Sequence, residues 1–562
     1  MPNFLENIFA QLKRADGRVV LREIRGEQFV GVTGSELLEQ VGKVRVFLRS
    51  SGILPGERCA LLAPNSIRWV ATDLAMMAEG VIVVPLYSRQ SPDELSAMMK
   101  DCQPLLLFVS DAQLGEALAQ SWPEAPPRIL LEQVLKENPA KASPDGPISR
   151  ADSDIVTIIY TSGTSGEPKG VCLNVGNLNY MLGQTTDRLG QLMSAAAAEG
   201  PDRVFHYLPF NFAASWLLLL SCLKRETTLT LSTDLNKLPD EIRLSSPNYF
   251  LNVPTLLERV RCGVEESLSK RATPIRSLFE KSRVAWQRKS EGHASGLDRF
   301  RLLVAEKLIF NKIKQRFGHD LRALICGSAP LAPETQQFFQ MSGIPVLQAY
   351  GLTETTGICT MDGPRETAEP GYVGAAIPGI EMKTGENDEI VTRGPHIFPG
   401  YWSRPEETLR VLQDGWFHTG DQGEVNARGK WRISGRIKNL IVLNSGHKIA
   451  PELMEEKIAR LLPAARQVVI VGNGRGYLCA LITGTLESAA VQAVLEVINR
   501  ELPHYRQVRN FKLIGSGFTP ESGLLTANGK LRRDVVNSRY AVEINAMYEE
   551  RKEREAVSRQ HP

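Results

Sequence analysis

The densest run of residues able to do chemistry lies between Tyr160 and Gly170. Its hydroxyl side chains can donate hydrogen bonds to phosphate oxygens. They belong to Thr161, Ser162, Thr164 and Ser165. Its glycines let the backbone approach a ligand closely and turn its N–H groups toward an anion. They are Gly163, Gly166 and Gly170. Lys169 adds a positive charge, so the stretch predicts a cradle for a polyphosphate.

Extended chain on both sides must position this loop. The β-branched run Asp154–Ile159 predicts a buried strand before it, and Val171–Leu173 predicts extended chain after it. A solvated glycine-serine linker is the plainer alternative, but a linker lacks apolar strands at its ends. A P-loop is a sharper alternative, but its lysine leads into a helix. Here Lys169 is followed by Gly170 and an extended run, which argues against a P-loop.

The stretch resembles the phosphate-binding loop of the adenylate-forming superfamily. That superfamily includes acyl-CoA synthetases, the adenylation domains of peptide synthetases and firefly luciferase. Matches to it recur over nearly the whole chain, starting at Leu62–Ser66. The resemblance implies ATP as a ligand and assigns the residues named above, from Thr161 to Lys169, to its phosphates. It also implies that Thr164 is a ligand of Mg²⁺, an ion that prefers hard oxygen donors.

Two later segments resemble the parts of the family that hold the nucleotide base. The turn Gly327–Pro330 follows a predicted strand, and in the family this turn stacks against adenine. The resemblance therefore assigns three of its residues to the nucleotide, namely Gly327, Ser328 and Ala329.

The run Tyr350–Gly357 resembles the next family motif. The resemblance implies that Tyr350 faces the adenine, with Gly351 beside it in the nucleotide site. It also implies that Thr353 contacts the α-phosphate and that Glu354 is the Mg²⁺-ligating carboxylate.

Three further matches lie toward the end of the chain. Asp421, in Asp414–Asp421, matches the residue that accepts both ribose hydroxyls, a task that suits a carboxylate. Arg436 matches a second contact to ribose and phosphate. Lys530, in the run Leu525–Leu531, matches the mobile catalytic lysine of the family. Lys530, Lys169 and Glu354 are thus the residues to which the resemblance gives catalytic roles.

A segment around Phe212 predicts the site for the acid. On composition alone, His206–Trp216 is equally well explained as the start of a core helix. In the family it leads into a helix that lines the acyl pocket, so the resemblance assigns Phe212, Ala213 and Trp216 to the substrate. Amino-acid-activating relatives keep an aspartate where Ala213 stands, and a buried ammonium without a counter-charge is costly. We therefore expect a substrate without an α-amino group.

The basic, helical stretch 262–320 is most simply a solvated surface excursion. It also resembles the insertion of long-chain acyl-CoA synthetases, especially over Lys307–Ile313, which implies a long-chain fatty acid as substrate. Its basic amphipathic surface is suited to anionic lipid headgroups. Peripheral contact with the inner face of a membrane is therefore left open.

The length, net charge and cysteine content of the chain limit the class of protein. At 562 residues the chain is too long for one hydrophobic core, because such cores stop growing near ~250–300 residues. Two or more domains are therefore expected. The formal net charge of +3 gives no sign of a nucleic-acid partner. The eight cysteines are scattered without a C-x-x-C pair, which indicates buried thiols in a reducing compartment. Without a signal peptide or a transmembrane run, the sequence favours the cytoplasm.

Strand–helix–strand spacing over the first 150 residues predicts α/β architecture with largely parallel sheets. The resemblance refines this to a large N-terminal domain, with two parallel-sheet αβαβα subdomains and a small β-barrel-like part, followed by a small mobile C-terminal α/β domain. The expected boundaries are 1–435 for the ATP- and acyl-binding domain, 436–439 for the hinge and 440–562 for the domain that carries Lys530. Asn439 stands where the family usually has a charged hinge residue.

The resemblance implies an ATP-dependent ligase that uses Mg²⁺ and coenzyme A. A carboxylic acid, expected to be a long-chain fatty acid, would first form an acyl-adenylate and pyrophosphate. Rotation of the small domain would then withdraw Lys530 and admit CoA. An acyl carrier protein as acceptor, or an intramolecular hydroxyl that yields a β-lactone, stays open. A non-catalytic nucleotide-binding relative is disfavoured, because Lys530, Glu354 and Asp421 are all present.

Overall fold

The structure is a computed structural model. It describes residues 3–137, 146–162, 168–194, 200–366, 368–519, 522–525 and 529–549. The predicted mixed α/β class with parallel sheets is confirmed. The chain divides into two compact units, and each is described by itself. The first contains residues 1–382, 392–417 and 425–432, and the second contains residues 383–391, 418–424 and 433–562.

Two main sheets lie in the described part of the first unit, and the larger has nine strands. From one edge to the other, the strands are Ala375–Ala376, Thr360–Met361, Val346–Tyr350, Ala323–Cys326, Tyr249–Asn252, Asp202–His206, Thr227–Leu231, Val19–Arg25 and Gln28–Thr33. The six strands from Val346–Tyr350 to Val19–Arg25 run parallel. The strands beyond them at both edges are antiparallel. The central strands Tyr249–Asn252 and Ala323–Cys326 are buried at every residue, as expected for largely apolar strands inside a parallel sheet.

The second sheet of this unit has seven strands. In order they are Gly400–Tyr401, Pro168–Asn174, Ile155–Ser162, Ile82–Leu86, Arg58–Leu62, Leu106–Val109 and Arg128–Leu130. The last five run parallel. The strands Ile155–Ser162 and Pro168–Asn174 pair antiparallel, with Thr161 opposite Lys169. The predicted extended chain after Lys169 is therefore a strand, which no P-loop would have there.

Helices cover these sheets. The α-helices of the first unit are Phe4–Arg14, Gly34–Ser50, Ile67–Ala78, Pro92–Cys102, Ala112–Ser121, Leu131–Glu137, Val175–Ser194, Ala213–Lys224, Leu238–Ser245, Pro254–Ser269, Thr273–Ser290, Gly296–Ala305, Asn311–Gln315, Pro333–Met341 and Pro405–Val411. A π-helical turn, Glu306–Phe310, joins two of them. Side-chain caps fix several helix starts: Ser66, for example, accepts the N–H of Trp69 at 3.1 Å. Helix Ile67–Ala78 is buried along almost its whole length.

The second unit has a three-stranded sheet in the order Ala465–Val471, Leu478–Gly484, Val508–Ile514. Its α-helices are Glu452–Leu461, Ser488–Arg500, Arg533–Arg539 and a last one over 541–549. The short strands Ile441–Val442 and Lys448–Ile449 form a hairpin. The strands Glu381–Thr384, Glu389–Arg393, Trp416–Val425 and Trp431–Arg436 are where the chain passes between the units. The expected hinge at 436–439 stays a prediction.

Every cysteine lies in the described part of the chain, and none of the eight forms a disulfide. Seven are buried, as expected, but Cys262 is exposed because it lies on a solvent-facing position of helix Pro254–Ser269. Among the described residues, no helix combines the length and apolarity needed to cross a bilayer.

Candidate active site

One edge of the nine-stranded sheet collects three of the predicted motifs. Strands Asp202–His206, Ala323–Cys326 and Val346–Tyr350 run parallel within it, so the segments that follow them leave the sheet at the same edge. Those segments are 207–216, 327–330 and 351–357. Ligands of open α/β sheets bind outside the carboxyl ends of the strands. The topology therefore brings together the residues predicted to hold adenine, α-phosphate and acid.

The turn that carries Glu354 is tight, because the backbone at Gly351 packs directly against the backbone at Gly357. A Cβ on Gly351 would lie 2.5 Å from the carbonyl oxygen of Gly357, so only glycine fits. Gly357 itself adopts φ of +98°. A Cβ added there would lie 3.4 Å from the Cα of Ala214, which places this turn against the start of helix Ala213–Lys224. The predicted nucleotide and acid segments are therefore neighbours.

The turn predicted to meet adenine is similarly tight. A Cβ on Gly327 would lie 3.0 Å from the carbonyl oxygen of Ala349, the residue before Tyr350. Ser328 follows with φ of +74°, an uncommon conformation for a residue with a side chain. Gly327, Ser328 and Tyr350 are thus close in space, while their contact with adenine stays a prediction.

The tip of the predicted phosphate loop lies outside the described residues. The predictions for Gly163, Thr164, Ser165 and Gly166 therefore find no structural description, and neither does the side chain of Ser162. The two strands at the base of the loop are described, and they place Thr161 directly opposite Lys169.

Tyr401 connects this base to Glu354. Its short strand pairs with the strand of Lys169, with Tyr401 opposite Val171, and its hydroxyl donates to Oε1 of Glu354 at 2.9 Å. The Nζ of Lys169 lies 5.5 Å from the centroid of the Tyr401 ring. The backbone N–H of Phe398 also donates to the carbonyl oxygen of Glu354 at 2.9 Å. Lys169 and Glu354 are therefore both positioned by the segment around Tyr401.

Lys169 also forms an ion pair with Glu407, which lies near the start of helix Pro405–Val411. Glu407 also accepts a hydrogen bond from the guanidinium of Arg404 at 3.1 Å. Arg404 in turn lies 3.4 Å from the carboxylate of Asp101. The hydrogen bond from Lys169 is the main cause that lowers the pKa of Glu407. These partners were not predicted from the sequence, because nothing near Glu407 marks it as the partner of a lysine more than 200 positions away.

Helix Ala213–Lys224 begins at the predicted acid site. Ala213 is buried, and Phe212 precedes it as the N-cap residue without a side-chain cap, its ring 6.4 Å from that of Tyr87. Ser215 forms a 2.8 Å hydrogen bond with Nε2 of His206. Burial lowers the pKa of His206 to about 4, so its imidazole is neutral at pH 7.

Trp216, also predicted to contact the acid, is buried and donates its indole N–H to Asp73 at 2.9 Å. Asp73 lies in the core of helix Ile67–Ala78, and its other carboxylate oxygen has no hydrogen-bond partner among the described residues. Burial raises the pKa of Asp73 to about 7. This contact gives Trp216 a packing role, and its contact with the acid stays a prediction.

In the second unit, Asp421 and Arg436 form an ion pair, with Arg436 Nε 2.9 Å from Oδ1 of Asp421. The backbone N–H of Asp421 donates to Thr419 Oγ1 at 3.1 Å. Asp421 is buried and Arg436 is half-buried. The structure thus brings together the two residues predicted to contact ribose, although that contact stays a prediction.

Lys530 is exposed, and the chain just after it is anchored. Leu531 pairs with Leu525, and Arg533 forms a bidentate ion pair with Glu455, one of whose two bonds measures 2.8 Å. Oε1 of Glu455 also accepts the backbone N–H of Ile470 at 2.7 Å. In the same helix, Glu452 accepts the side-chain amide of Asn439, the predicted hinge residue, at 2.6 Å.

Mg²⁺ is usually held by one or two carboxylates, with phosphate oxygens and waters completing its coordination. Glu354, a carboxylate at the sheet edge beside the strand of Lys169, fits that mode. Thr164, the second predicted ligand, lies outside the described residues. The described part of the chain contains no cluster of three or more His, Cys, Asp or Glu side chains suited to a metal ion.

The family of this chain follows from comparison with known proteins. A family model described as AMP-binding enzyme matches residues 8–402, and its companion, the AMP-binding enzyme C-terminal domain, matches residues 438–552. The chain belongs to the AMP-binding enzyme family, so the resemblance found in its motifs is confirmed.

Its relatives and structural neighbours are distant. The chain is 26% identical to the long-chain-fatty-acid–CoA ligase FadD15 of Mycobacterium tuberculosis, over 94% of both chains. It is 26% identical to long chain acyl-CoA synthetase 3 of Arabidopsis thaliana, over 96% of this chain and 90% of that one. The adenylation domain of a carboxylate reductase from Mycobacterium chelonae shares the fold with a TM-score of 0.76 at 23% identity, covering 97% and 91% of the two chains. ATP-bound MatB from Rhodopseudomonas palustris gives 0.72 at 22% identity, covering 96% and 99%.

Proposed function

We propose that the protein activates a carboxylic acid with ATP to an acyl-adenylate and then transfers the acyl group to coenzyme A. The observation that supports this most is the arrangement around Tyr401. A loop-base lysine, Lys169, lies 5.5 Å from the ring of Tyr401, and a carboxylate, Glu354, accepts the hydroxyl of the same tyrosine. A site of this kind suits a polyphosphate, and the AMP-binding family supplies the class of reaction.

In the first half-reaction the carboxylate of the acid attacks the α-phosphorus of ATP and displaces pyrophosphate. Because both reactants are anions, the enzyme must mainly position them and neutralise their charge. We assign the pyrophosphate to Lys169 and the phosphate loop, the α-phosphate to Thr353, and the carboxylate with the α-phosphate to Lys530. Glu354 and Thr164 would hold Mg²⁺, which neutralises phosphate charge when bound.

The adenosine is assigned to residues whose conformations suit close contact. Gly327 to Ala329 and Tyr350 with Gly351 would meet the adenine. Asp421 would accept the ribose hydroxyls, because a carboxylate can accept two hydrogen bonds at once. Arg436, which pairs with Asp421, would hold that carboxylate in orientation and contact the ribose and phosphate.

A long-chain fatty acid is the proposed substrate. Two curated relatives that match nearly the whole chain carry that specificity in their names, and Ala213 provides no counter-charge for an ammonium. Helix Ala213–Lys224 supplies an apolar wall, since ten of its twelve residues are buried. Each buried methylene contributes about 0.8 kcal/mol, close to a fourfold gain in binding.

CoA is the proposed acceptor, and its thiolate would attack the acyl-adenylate to release AMP. We propose the cytoplasm as the location, since none of the eight cysteines forms a disulfide.

The test is mass spectrometry of products from ATP, Mg²⁺, CoA and a panel of acids. The panel contains an even-numbered saturated series, benzoate-type acids and common amino acids. We expect acyl-CoA and AMP, with kcat/KM rising with chain length to a plateau at ~12 carbons or more if burial continues at the increment above. A maximum at about eight carbons or fewer would refute the long-chain substrate. Formation of acyl-AMP without acyl-CoA would refute CoA as the acceptor. Activation of amino acids would refute the inference from Ala213 that the substrate lacks an α-amino group.

A further inference from the structure

An exposed apolar strip lies on helix Gly296–Ala305, within the basic segment of the first unit. Leu297, Phe300 and Leu303 follow one another at intervals of three residues, and 55%, 62% and 59% of their respective surfaces are exposed. Residues three apart are neighbours on a helix surface, so the three side chains form one continuous strip. Single exposed leucines are ordinary, but a contiguous apolar strip marks an interaction surface.

The opposite face of this helix is firmly held, so the strip does not result from a loosely attached helix. Asp298 is buried and accepts the backbone N–H of Ser295 at 3.0 Å. Its carboxylate lies 3.6 Å from Arg288 of the preceding helix, Thr273–Ser290, and 3.6 Å from Arg301. Ala305 is also buried. The helix thus faces the protein with Asp298 and Ala305 and faces solvent with the apolar strip.

Positive charge surrounds the strip. A groove of about 430 Å³ is lined by Leu303 together with Lys289, Arg299 and one carboxylate, Glu306, and Lys307, one turn beyond Leu303, is exposed. Residues 281–316 contain ten lysines and arginines against three acidic residues, whereas the whole chain has a formal net charge of only +3. Two of the ten, Arg288 and Arg301, face the buried Asp298. Of the other eight, Arg283 pairs with Glu280 and Lys314 with Glu306, while Lys289, Arg299 and Lys307 remain beside the strip.

We propose that this strip and its basic border dock onto a membrane surface that contains anionic lipids. Leu297, Phe300 and Leu303 would enter the boundary between headgroups and acyl chains, as the apolar face of an interfacial helix does. Lys289, Arg299 and Lys307 would extend their charged ends toward the lipid phosphates. At ten residues the helix is about 15 Å long, so it would lie in the interface rather than cross the bilayer.

The combination of basic border and apolar strip disfavours other binding partners. Two copies of this surface would bring two sets of lysines and arginines together, and like charges repel. A nucleic acid would satisfy the charges, but would leave Leu297 and Leu303 in contact with phosphates and water. An anionic bilayer satisfies both the charges and the apolar strip. This inference does not depend on the proposed reaction, because docking requires neither ATP nor an acid.

The test is flotation of the full chain with vesicles, without nucleotide or fatty acid. One set contains phosphatidylcholine alone, and the other contains phosphatidylcholine with phosphatidylglycerol, at low and high salt. We expect binding to the second set that weakens with salt. Phe300→Ser with Leu303→Ser should lower the partition coefficient at least tenfold, since burying one such side chain contributes about that factor or more. Lys289→Gln and Arg299→Gln should each lower it about fivefold.

Two control variants separate docking from general effects of exposed residues. Leu54→Ser removes an equally exposed apolar side chain, 62% accessible, outside the segment. Arg243→Gln removes an exposed charge on helix Leu238–Ser245. Both should bind vesicles as the wild type does, and thermal melts should show that all variants are folded. Equal binding of the Phe300/Leu303 variant and the wild type would overturn the proposal. So would equal binding to neutral vesicles, or self-association in solution that Phe300→Ser abolishes.

Discussion

The hydroxyl of Tyr401 lies 2.9 Å from Oε1 of Glu354 and donates a hydrogen bond to it. The strand that carries Tyr401 is paired with the strand that carries Lys169. Tyr401 therefore connects Glu354, which follows a strand of the nine-stranded sheet, to the base of the phosphate loop at Lys169 in the seven-stranded sheet. Burial, followed by the charge of Glu354, raises the pKa of Tyr401, so the phenol stays protonated and can donate throughout the physiological range.

Tyr401→Phe tests this relationship, because it keeps the ring and removes the donor. A hydrogen bond to a charged group contributes about 1.5–3 kcal/mol, so we expect kcat/KM for adenylation to fall at least about tenfold. The fall should come with a higher Mg²⁺ requirement, measured by titrating Mg²⁺ in an ATP–pyrophosphate exchange assay. Tyr180→Phe, which removes a hydroxyl bonded to the carbonyl of Pro378, is the matched control. An unchanged Mg²⁺ requirement in Tyr401→Phe would contradict the role assigned to this contact.

The sequence predicted the local parts of this site and missed the long-range ones. The strand before the phosphate loop and the extended chain after Lys169 were predictable, because β-branched periodicity and the glycine that follows the lysine are local signals. The helix that begins at Ala213 was expected from the family resemblance, whereas the tight turn at Gly351 was not predicted. The contacts Tyr401–Glu354 and Lys169–Glu407 were not, because each joins residues far apart in the chain.

Burial was harder to predict than secondary structure. Trp216 was expected beside the acid, yet its indole N–H is bonded to Asp73, a partner more than 140 positions earlier. Nothing local distinguishes Asp73 from an ordinary exposed aspartate, and only the packing of two buried helices places it under Trp216. For Cys262 the prediction was wrong. The scattered cysteines suggested buried thiols, but Cys262 lies on helix Pro254–Ser269 at a position that faces solvent.

Lys530→Ala tests the division of labour between the half-reactions. Because Lys530 is assigned to the carboxylate and α-phosphate, the variant should lose acyl-AMP formation by two orders of magnitude or more. Transfer from supplied acyl-AMP to CoA should stay largely intact. Single-turnover assays of each half-reaction make the measurement. If both half-reactions fall equally in a folded variant, the role assigned to Lys530 is wrong.

The ion pair between Arg533 and Glu455 should support the chain next to Lys530. Burial raises the pKa of Glu455 even with Arg533 present. Arg533→Gln would leave that carboxylate buried without its charged partner, at a cost of about 3 kcal/mol in the free energy of unfolding. Urea unfolding measures the loss, and Arg539→Gln, on an exposed position of the same helix, is the control. Adding Glu455→Gln to Arg533→Gln should recover part of the stability. No recovery would show that the loss does not come from the unpaired carboxylate.

Asp73 should make stability depend on pH. Its pKa is raised by burial from 3.8 to about 7, so the folded state keeps the proton to higher pH than the unfolded chain does. Its contribution to the free energy of unfolding therefore falls as pH rises from about 4 to about 7, by at most about 1.4 kcal/mol per pH unit. Above about pH 7 this contribution stays constant. Asp73→Asn cannot ionise, so it should gain stability relative to the wild type across that window, by on the order of 4 kcal/mol. Parallel pH profiles for the two proteins would contradict the buried acid.

The central claim is that the carboxylate of an acid attacks the α-phosphorus of ATP. The most direct measurement uses a fatty acid with both carboxylate oxygens labelled by ¹⁸O, incubated with enzyme, ATP, Mg²⁺ and CoA. We expect AMP that carries one ¹⁸O, because the bridging oxygen of the acyl-adenylate leaves with the phosphate when the CoA thiolate attacks the carbonyl carbon. Pyrophosphate should carry none. Mass spectra that instead show ADP with the label in inorganic phosphate would mean attack at the γ-phosphorus and would contradict the account.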